Sequence, residues 1–254
     1  MGTNPSKDML VVSAHAADFC TRAGGTIAKY VKAGWNVSVI VLTFGEKGES
    51  GGYWKEHPLG TLEDCRTVRL EEAREAASVL GVSAIEFYGY NDYPLFMDEE
   101  RILRLTRRML EIRPRIVLTH WIEDPLNRDH SVAAESVIRA ISSAAQLGAL
   151  PNTKAHYFPD VYLFESTVPH AEFNHFQPNT FIDIEDTFQT KLAAIGKFAC
   201  QPQLIFYYTH FAAHRGFQAT DWAKRPIRYA EGFVRYLPYV GSSFPLTERT
   251  EPLT

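Results

Sequence analysis

The chain has few cysteines, and their positions do not suggest a crosslink. Cys20, Cys65 and Cys200 are odd in number, far apart and without a Cys-x-x-Cys pair. Disulfide frameworks use even sets of cysteines and cysteine zinc sites use closely spaced pairs, so the pattern argues against both. Because free thiols suit a reducing compartment, we expect a cytoplasmic protein.

Long apolar runs and an excess of one charge are also missing. No stretch approaches the roughly 20 apolar residues of a membrane-spanning helix, and residues 1–10 lack an apolar segment of signal length. The formal net charge is −4, without the run of lysine or arginine that would bind nucleic acid or an anionic membrane. We therefore expect neither nucleic acid nor a membrane as a partner.

The composition that remains is that of an ordinary globular protein. Hydrophobic residues make up 45% and charged residues 22% of the 254 residues. A chain of this length buries a core without disulfides. No linker, repeat or low-complexity segment divides it, so residues 1–254 are predicted to form a single domain.

Short apolar runs alternate with helical patterns. Runs typical of strands buried on both faces occupy 9–12, 37–42, 85–88, 116–119, 161–164 and 180–184. Helical spacing of apolar residues covers 18–33, 62–80, 99–111, 131–147 and 187–198. This order predicts an α/β fold, a Rossmann-like, mostly parallel sheet with helices on both faces. Residues 200–254, rich in aromatic residues and arginine, are expected to cover the sheet and the active site.

Polar residues cluster after these strands, where ligands bind in open parallel sheets. They are His15 and Asp18 after the first strand, Glu46 and Glu49 after the second, Asn91 and Asp92 after the third, and His120, Glu123, Asp124, Asn127, Asp129 and His130 after the fourth. Because the loops at the carboxyl ends of parallel strands converge, the functional site is predicted at this edge of the sheet.

His15, Asp18 and His130 form a ligand set suited to a divalent metal. Two imidazoles and a carboxylate leave a fourth position for water and favour Zn²⁺, but they also accept Fe²⁺, Mn²⁺ or Co²⁺. Asp129, which precedes His130, is expected to orient the His130 ring from behind. On spacing alone the alternative is that these are surface or capping groups, with Asp18 as a helix N-cap.

Four segments of the chain resemble the PIG-L/LmbE family of zinc-dependent N-acetylglucosaminyl deacetylases. SAHAADF at 13–19, FGEKGES at 44–50, VRLEEAREAASVLG at 68–81 and NRDH at 127–130 stand where the family has AHPDDE, T-x-G-E-x-G-E, R-R-E-E-A…L-G and HPDH. By position, the resemblance implies that His15, Asp18 and His130 are the zinc ligands.

Two departures from the deacetylase motifs affect the expected chemistry. Ala17 stands where the deacetylases have the Asp that activates water, and Asn127 stands where they have a histidine. Hydrolysis of an amide needs a base for the water and an acid for the departing amine, and neither a methyl group nor a carboxamide provides them. The pattern therefore argues against a standard deacetylase mechanism.

One branch of the superfamily is similar at these same places, the 4-oxalomesaconate (4-carboxy-2-hydroxymuconate) hydratases of gallate and protocatechuate catabolism. The shared patches are 13–19, 44–50, DYP at 92–94, DPLNRDH at 124–130, RGFQA at 215–219 and YAEG at 229–232. The resemblance implies a metal-dependent hydro-lyase acting on a small tricarboxylate. The alternatives are a zinc deacetylase or amidase that uses Glu49 as base, a related hydratase of another unsaturated keto-acid, and a non-catalytic metal- or ligand-binding protein.

The resemblance also implies roles for individual residues. Glu49 is expected to activate water, with Glu46 as the fallback, and His170 is expected to protonate the substrate, with His175 as its competitor. The residues expected to bind substrate are Arg69, Arg215, Asn127, Asp92 and His120. Arginine is chosen because it binds carboxylates through two parallel hydrogen bonds. The alternative for both arginines is that they form structural ion pairs, and the alternative for His120 is that it is a core histidine. We also expect a homo-oligomer.

Overall fold

The computed structural model describes residues 7–171 and 173–248. The elements follow one another as β1 (Asp8–Ser13), α1 (Asp18–Lys32), β2 (Asn36–Thr43), α2 (Gly51–Glu56), α3 (Leu62–Leu80), β3 (Ala84–Tyr90), α4 (Glu99–Ile112), β4 (Ile116–His120), α5 (Arg128–Ala144), β5 (Asp160–Phe164), β6 (Thr180–Asp183), α6 (Phe188–Ile195), α7 (Leu204–Ala223) and β7 (Ala230–Arg235). None of the helices in these two ranges has the length and apolar character needed to cross a membrane.

The strands form one sheet in the order β3-β2-β1-β4-β5-β7-β6. β1 to β5 pair in parallel, and β7 runs antiparallel to both β5 and β6. The chain moves outward from β1 to β3 and then returns to place β4 on the other side of β1. The gap between β1 and β4 is therefore the topological switch point, where ligands bind in sheets of this kind.

Both faces of the sheet are covered, and β1 shows why its residues are apolar without interruption. Met9 and Val11 pack with α1, α3 and α6 on one face, whereas Leu10 and Val12 pack with α4 and α5 on the other. Successive side chains of a strand point to opposite faces, so two buried faces require a continuous apolar run. The predicted α/β fold with a mostly parallel sheet is confirmed.

Local signals account for the helix that the sequence delimits best. α3 starts after Thr61, which forms a capping box with Asp64, and it ends at Gly81 in the left-handed conformation, with φ 74°. These are the chain's own start and stop signals, and the predicted range of 62–80 is the observed one. By contrast, α5 begins at Arg128 rather than at 131, which places His130 inside its first turn.

The C-terminal region is more regular than the expected tail. α7 is a 20-residue helix, and β7 inserts into the sheet between β5 and β6. α7 lacks a clean apolar stripe, since exposed Phe217 and Trp222 share the helix with buried Tyr208 and Arg215. The sequence pattern therefore did not predict the helix, because a helix is recognised by one apolar and one polar face.

Candidate active site and metal centre

Four side chains from the segments that follow β1, β2 and β4 meet at the switch point. His15 lies in the loop after β1 and Asp18 begins α1, while Glu49 lies in the loop after β2 and His130 lies in the first turn of α5. Each offers one ligand atom, and these atoms all lie within 4.8 Å of one another. The three residues expected to bind metal are thus brought together, with Glu49 beside them.

The distances place two imidazole nitrogens around two carboxylates. His15 Nδ1 lies 3.4 Å from Asp18 Oδ2 and 3.3 Å from Glu49 Oε1. His130 Nε2 lies 3.8 Å from Asp18 Oδ1 and 3.8 Å from Glu49 Oε1. Both imidazoles and Asp18 are buried, so this group of nitrogen and oxygen atoms is largely shielded from water.

The other nitrogen of each ring is held by a carboxylate. His15 Nε2 lies 3.2 Å from Asp129 Oδ2, and His130 Nδ1 lies 2.8 Å from Asp124 Oδ2. Within the described ranges, the inward nitrogens His15 Nδ1 and His130 Nε2 have no hydrogen-bond partner. Carboxylates behind the rings and unpartnered nitrogens in front are what a bound divalent metal requires, so the residues fit such an ion.

The prediction that Asp129 orients the His130 ring was wrong. Asp129 contacts His15, and its two oxygens also accept the backbone N–H groups of Tyr93 at 2.8 Å and Leu95 at 2.7 Å. The carboxylate behind His130 belongs to Asp124, for which the sequence suggested a place near the site but no role. The helix turn at Asp129 directs its side chain away from the adjacent His130, a fact that the chain spacing does not reveal.

The pKa values of the two histidines are shifted in opposite directions. Burial lowers the pKa of His15, but the carboxylates of Glu49, Asp129 and Asp18 outweigh it and hold this pKa well above the usual value. Burial lowers the pKa of His130 to about 3, and the neighbouring His120 and Arg22 act in the same direction. Near neutral pH His130 is therefore a neutral ring with a nitrogen lone pair that can bind a metal.

Asp18 is fixed on both oxygens. Oδ2 accepts the backbone N–H of His15 at 2.7 Å, and Oδ1 accepts Arg22 Nη1 at 2.5 Å. Ala17, not Asp18, is the N-cap of α1. Burial raises the pKa of Asp18, but Arg22, His120 and His130 outweigh it and hold this pKa well below the usual value. Arg22, four residues along the same helix face, is a contributor that the sequence reasoning missed.

The loop that carries Glu49 is held by two residues expected to bind substrate. Asn127 Nδ2 donates to Glu49 Oε1 at 3.2 Å. Asp92 Oδ2 accepts the backbone N–H groups of Lys47 at 2.9 Å and Gly48 at 3.0 Å. Burial raises the pKa of Glu49, and His15 opposes that shift. Glu49 is therefore a positioned carboxylate with an increased affinity for a proton, which is the property of a general base.

Glu46, the fallback base, lies outside this group. Its side chain is buried, and Arg66 Nε donates to Glu46 Oε1 at 2.7 Å. His120 lies closer than Glu46 to the candidate metal group. Its Nε2 is 3.2 Å from Asp18 Oδ2 and accepts the backbone N–H of Ala14 at 2.9 Å. Its ring also stacks on His130, with centroids 4.2 Å apart, so His120 packs against a candidate metal ligand.

Comparison with known proteins places this geometry in a family. The family model described as GlcNAc-PI de-N-acetylase, PIG-L, matches residues 10–141. The chain belongs to the PIG-L family. The resemblance seen in the sequence motifs is thereby confirmed.

The sequence comparison and the structure comparison each match a hydratase of Pseudomonas putida over almost the whole chain. A 4-oxalmesaconate hydratase is 40% identical over 240 residues, which is 93% of this chain and 92% of the relative. The crystal structure of GalB, a 4-carboxy-2-hydroxymuconate hydratase, superposes with a TM-score of 0.89 at 38% identity, over 94% of this chain and 100% of the other. The diacetylchitobiose deacetylase of Thermococcus kodakarensis is 28% identical over 92% of this chain and 85% of its own.

The two histidines expected to supply a proton are exposed in this PIG-L protein. His170 and His175 lie between β5 and β6. The His175 side chain is 82% exposed, and its Nδ1 lies 3.4 Å from Glu123 Oε2. A role for either as the catalytic acid stays a prediction.

The two arginines expected to bind substrate are buried in contacts with the protein. Arg69 donates to the carbonyl of Phe44, to Glu72 at 2.9 Å and to Gln201 at 2.9 Å. Arg215 grips Glu165 with two hydrogen bonds of 2.6 and 3.0 Å. Both arginines therefore make the contacts expected of structural ion pairs, which was the alternative to substrate binding.

We expect Arg215→Met to lower the free energy of unfolding by about 3–5 kcal/mol, because the buried Glu165 carboxylate loses its bidentate partner. Urea unfolding measures the change. Arg74→Met is the control, since Arg74 forms an exposed pair with Glu71, and such pairs contribute roughly 0–1 kcal/mol. Normal stability combined with a raised KM would instead assign Arg215 to substrate binding.

Proposed function

We propose that this PIG-L protein is a metal-dependent hydratase that adds water to 4-oxalomesaconate (4-carboxy-2-hydroxymuconate). One observation carries the proposal. Glu49 Oε1 faces the unpartnered nitrogens of His15 and His130, at 3.3 and 3.8 Å, while position 17 has only a buried methyl group. The site therefore has a base, but not where the deacetylase motif has it. The sequence and structure matches to a Pseudomonas putida hydratase support the choice of substrate.

We propose that the metal is held by His15, Asp18 and His130. Zn²⁺ is the preferred ion, and Fe²⁺, Mn²⁺ and Co²⁺ are the alternatives. When bound, such an ion lowers the pKa of water and polarises substrate oxygens. Asp129 and Asp124 orient His15 and His130 from behind, at 3.2 and 2.8 Å. Asn127 donates a hydrogen bond to the Glu49 carboxylate and so orients it toward the two histidines.

Hydration needs one proton removed and one delivered. Glu49 accepts a proton from water as the water oxygen bonds to the alkene carbon β to the carbonyl. The π electrons move to the α carbon and are stabilised as the enolate. A proton delivered to that carbon completes the addition, and no group leaves. We propose His170 as the donor, with His175 as the second candidate.

The test follows the substrate chromophore. Zinc-loaded protein is mixed with 4-carboxy-2-hydroxymuconate, and loss of the conjugated absorbance is recorded alongside acetate release from an N-acetylglucosaminide. We expect rapid bleaching that a chelator stops, and no acetate. The Ala17→Asp variant is expected to lose bleaching, because it places a further carboxylate in the buried site. Acetate release without bleaching would contradict the proposal.

A zinc deacetylase is the second candidate. The observation that favours it is the deacetylase of Thermococcus kodakarensis, which matches 92% of this chain. In that case Glu49 would activate water for attack on an amide, and an acid would be needed for the departing amine. The acetate arm of the same experiment decides between the two.

A further inference from the structure

Tyr93 has a strained backbone beside the candidate site. It lies in the loop after β3, with φ at 41°, in the left-handed region that side chains other than glycine rarely adopt. Its side chain is 44% exposed. Strain of this kind persists only where surrounding contacts impose it, and it is concentrated at functional sites.

The contacts that impose it come from both sides of the site. Asp92 binds two backbone N–H groups of the loop that carries Glu49. The Tyr93 N–H donates to Asp129 Oδ2 at 2.8 Å, and the same oxygen lies 3.2 Å from His15 Nε2. Tyr93 is thus tied to the Glu49 loop through its neighbour and to His15 through a shared carboxylate.

The Tyr93 ring lies between the site and solvent. It stacks on His15, with centroids 5.8 Å apart and an interplanar angle of 24°, and His15 itself is completely buried. A Cβ at Gly48 would come within 2.0 Å of Tyr93 Cε2, so only glycine there leaves room for the ring. The Tyr93 ring therefore packs against both His15 and the Gly48 backbone.

The charged side chains around the candidate metal group are already paired. Asp18 and Glu49 face the two histidines, whereas Asp129 and Asp124 lie behind the rings. The guanidinium group of Arg22 is bound to Asp18, and those of Arg69 and Arg215 are paired inside the protein. A neutral donor accepts a carboxylate without adding charge. A phenol, with an ordinary pKa of about 10, keeps its proton near neutral pH and donates such a hydrogen bond.

We propose that Tyr93 contacts the substrate directly: its ring forms the outer wall of the site, and its hydroxyl donates a hydrogen bond to a substrate carboxylate. The inference rests on the proposed function for the class of substrate. It assigns a role to the DYP segment beyond the contact that Asp92 makes with the Glu49 loop.

The experiment compares Tyr93→Phe with Tyr90→Phe. Tyr90 ends β3, and its ring packs on Arg101 at 4.3 Å, so this control removes the same hydroxyl away from the site. Four quantities are measured for each variant: zinc affinity by chelator competition, the Kd of propane-1,2,3-tricarboxylate by calorimetry, and KM and kcat for hydration by the zinc-loaded protein.

We expect Tyr93→Phe to raise both the Kd of the tricarboxylate and KM by about tenfold or more, the cost of a lost hydrogen bond to a charged group. Zinc affinity should stay within about threefold of the parent protein, as should every quantity for Tyr90→Phe, because neither change alters the metal group. A purely structural Tyr93 would instead weaken zinc binding together with tricarboxylate binding.

An unchanged Kd and KM in Tyr93→Phe would overturn the inference, even in a protein that hydrates its substrate normally. Failure of the parent protein to bleach the muconate is a separate result, and it overturns the proposed hydratase instead. Tricarboxylate binding weakened by Tyr93→Phe would in that case still support the contact. A parent protein that neither binds the tricarboxylate nor bleaches the muconate would contradict both.

Discussion

We expect Glu49→Gln to lower the rate of hydration by a factor of about 10²–10⁴, the usual contribution of a general base, without loss of metal occupancy. Glutamine keeps the shape of the side chain and the acceptor for Asn127 Nδ2, which lies 3.2 Å from Glu49 Oε1. What it loses is the capacity to take a proton from water. Loss of the muconate absorbance measures the rate, and metal analysis of the same sample measures occupancy.

Glu46→Gln is the matched control for this prediction. Glu46 lies in the same loop but pairs with Arg66 and stands outside the four-residue group. We expect a rate loss of less than about tenfold, because the change does not touch the metal group. If Glu46→Gln lost more activity than Glu49→Gln, the fallback base would be the correct one.

His130→Ala abolishes metal binding, and Asp124→Asn weakens it by about 10–100-fold. The first change removes a nitrogen of the candidate ligand set. The second leaves the ring in place but replaces the carboxylate that accepts from His130 Nδ1 at 2.8 Å, and outer partners of this kind typically contribute that much to affinity. Competition with a chromophoric chelator measures both.

His175→Ala serves as the control for metal affinity, because it removes an exposed imidazole whose contact is with Glu123. Its metal affinity should equal that of the parent protein. Equal affinity in His130→Ala as well would contradict the ligand assignment. An unchanged Asp124→Asn would mean that the ring keeps its orientation without the carboxylate.

Family membership and chemistry are separate conclusions for this protein. The PIG-L match at 10–141 fixes the framework that carries the site, but the same framework serves deacetylases and hydratases. Position 17 distinguishes them here, because a buried alanine offers no proton acceptor. The reaction therefore depends on a few side chains at the switch point, as is usual for folds of this kind.

Local patterns in the sequence account for most of the sheet and for the positions of the site residues. β1, β2, β4 and β5 appear as short apolar runs because strands buried on both faces admit little else. The observed bounds of α3 agree with the prediction because the helix begins at a capping box formed by Thr61 and Asp64 and ends at Gly81. α7 and β7 were missed, since α7 mixes exposed aromatic residues with a buried arginine and β7 contains Glu231 and Gly232.

By itself, the sequence determined that His15, Asp18, Glu49 and His130 follow strands whose ends converge, and that position 17 has no carboxylate. Only the tertiary structure decided which carboxylate stands behind which imidazole. The contact of Asp129 with His15 joins residues 114 positions apart, and the contacts of Arg69 with Gln201 and of Arg215 with Glu165 depend on how separate elements pack. Chain spacing limits which residues reach one edge of a sheet, whereas the partner of each polar atom is set by side-chain directions that arise only when the helices and loops are packed.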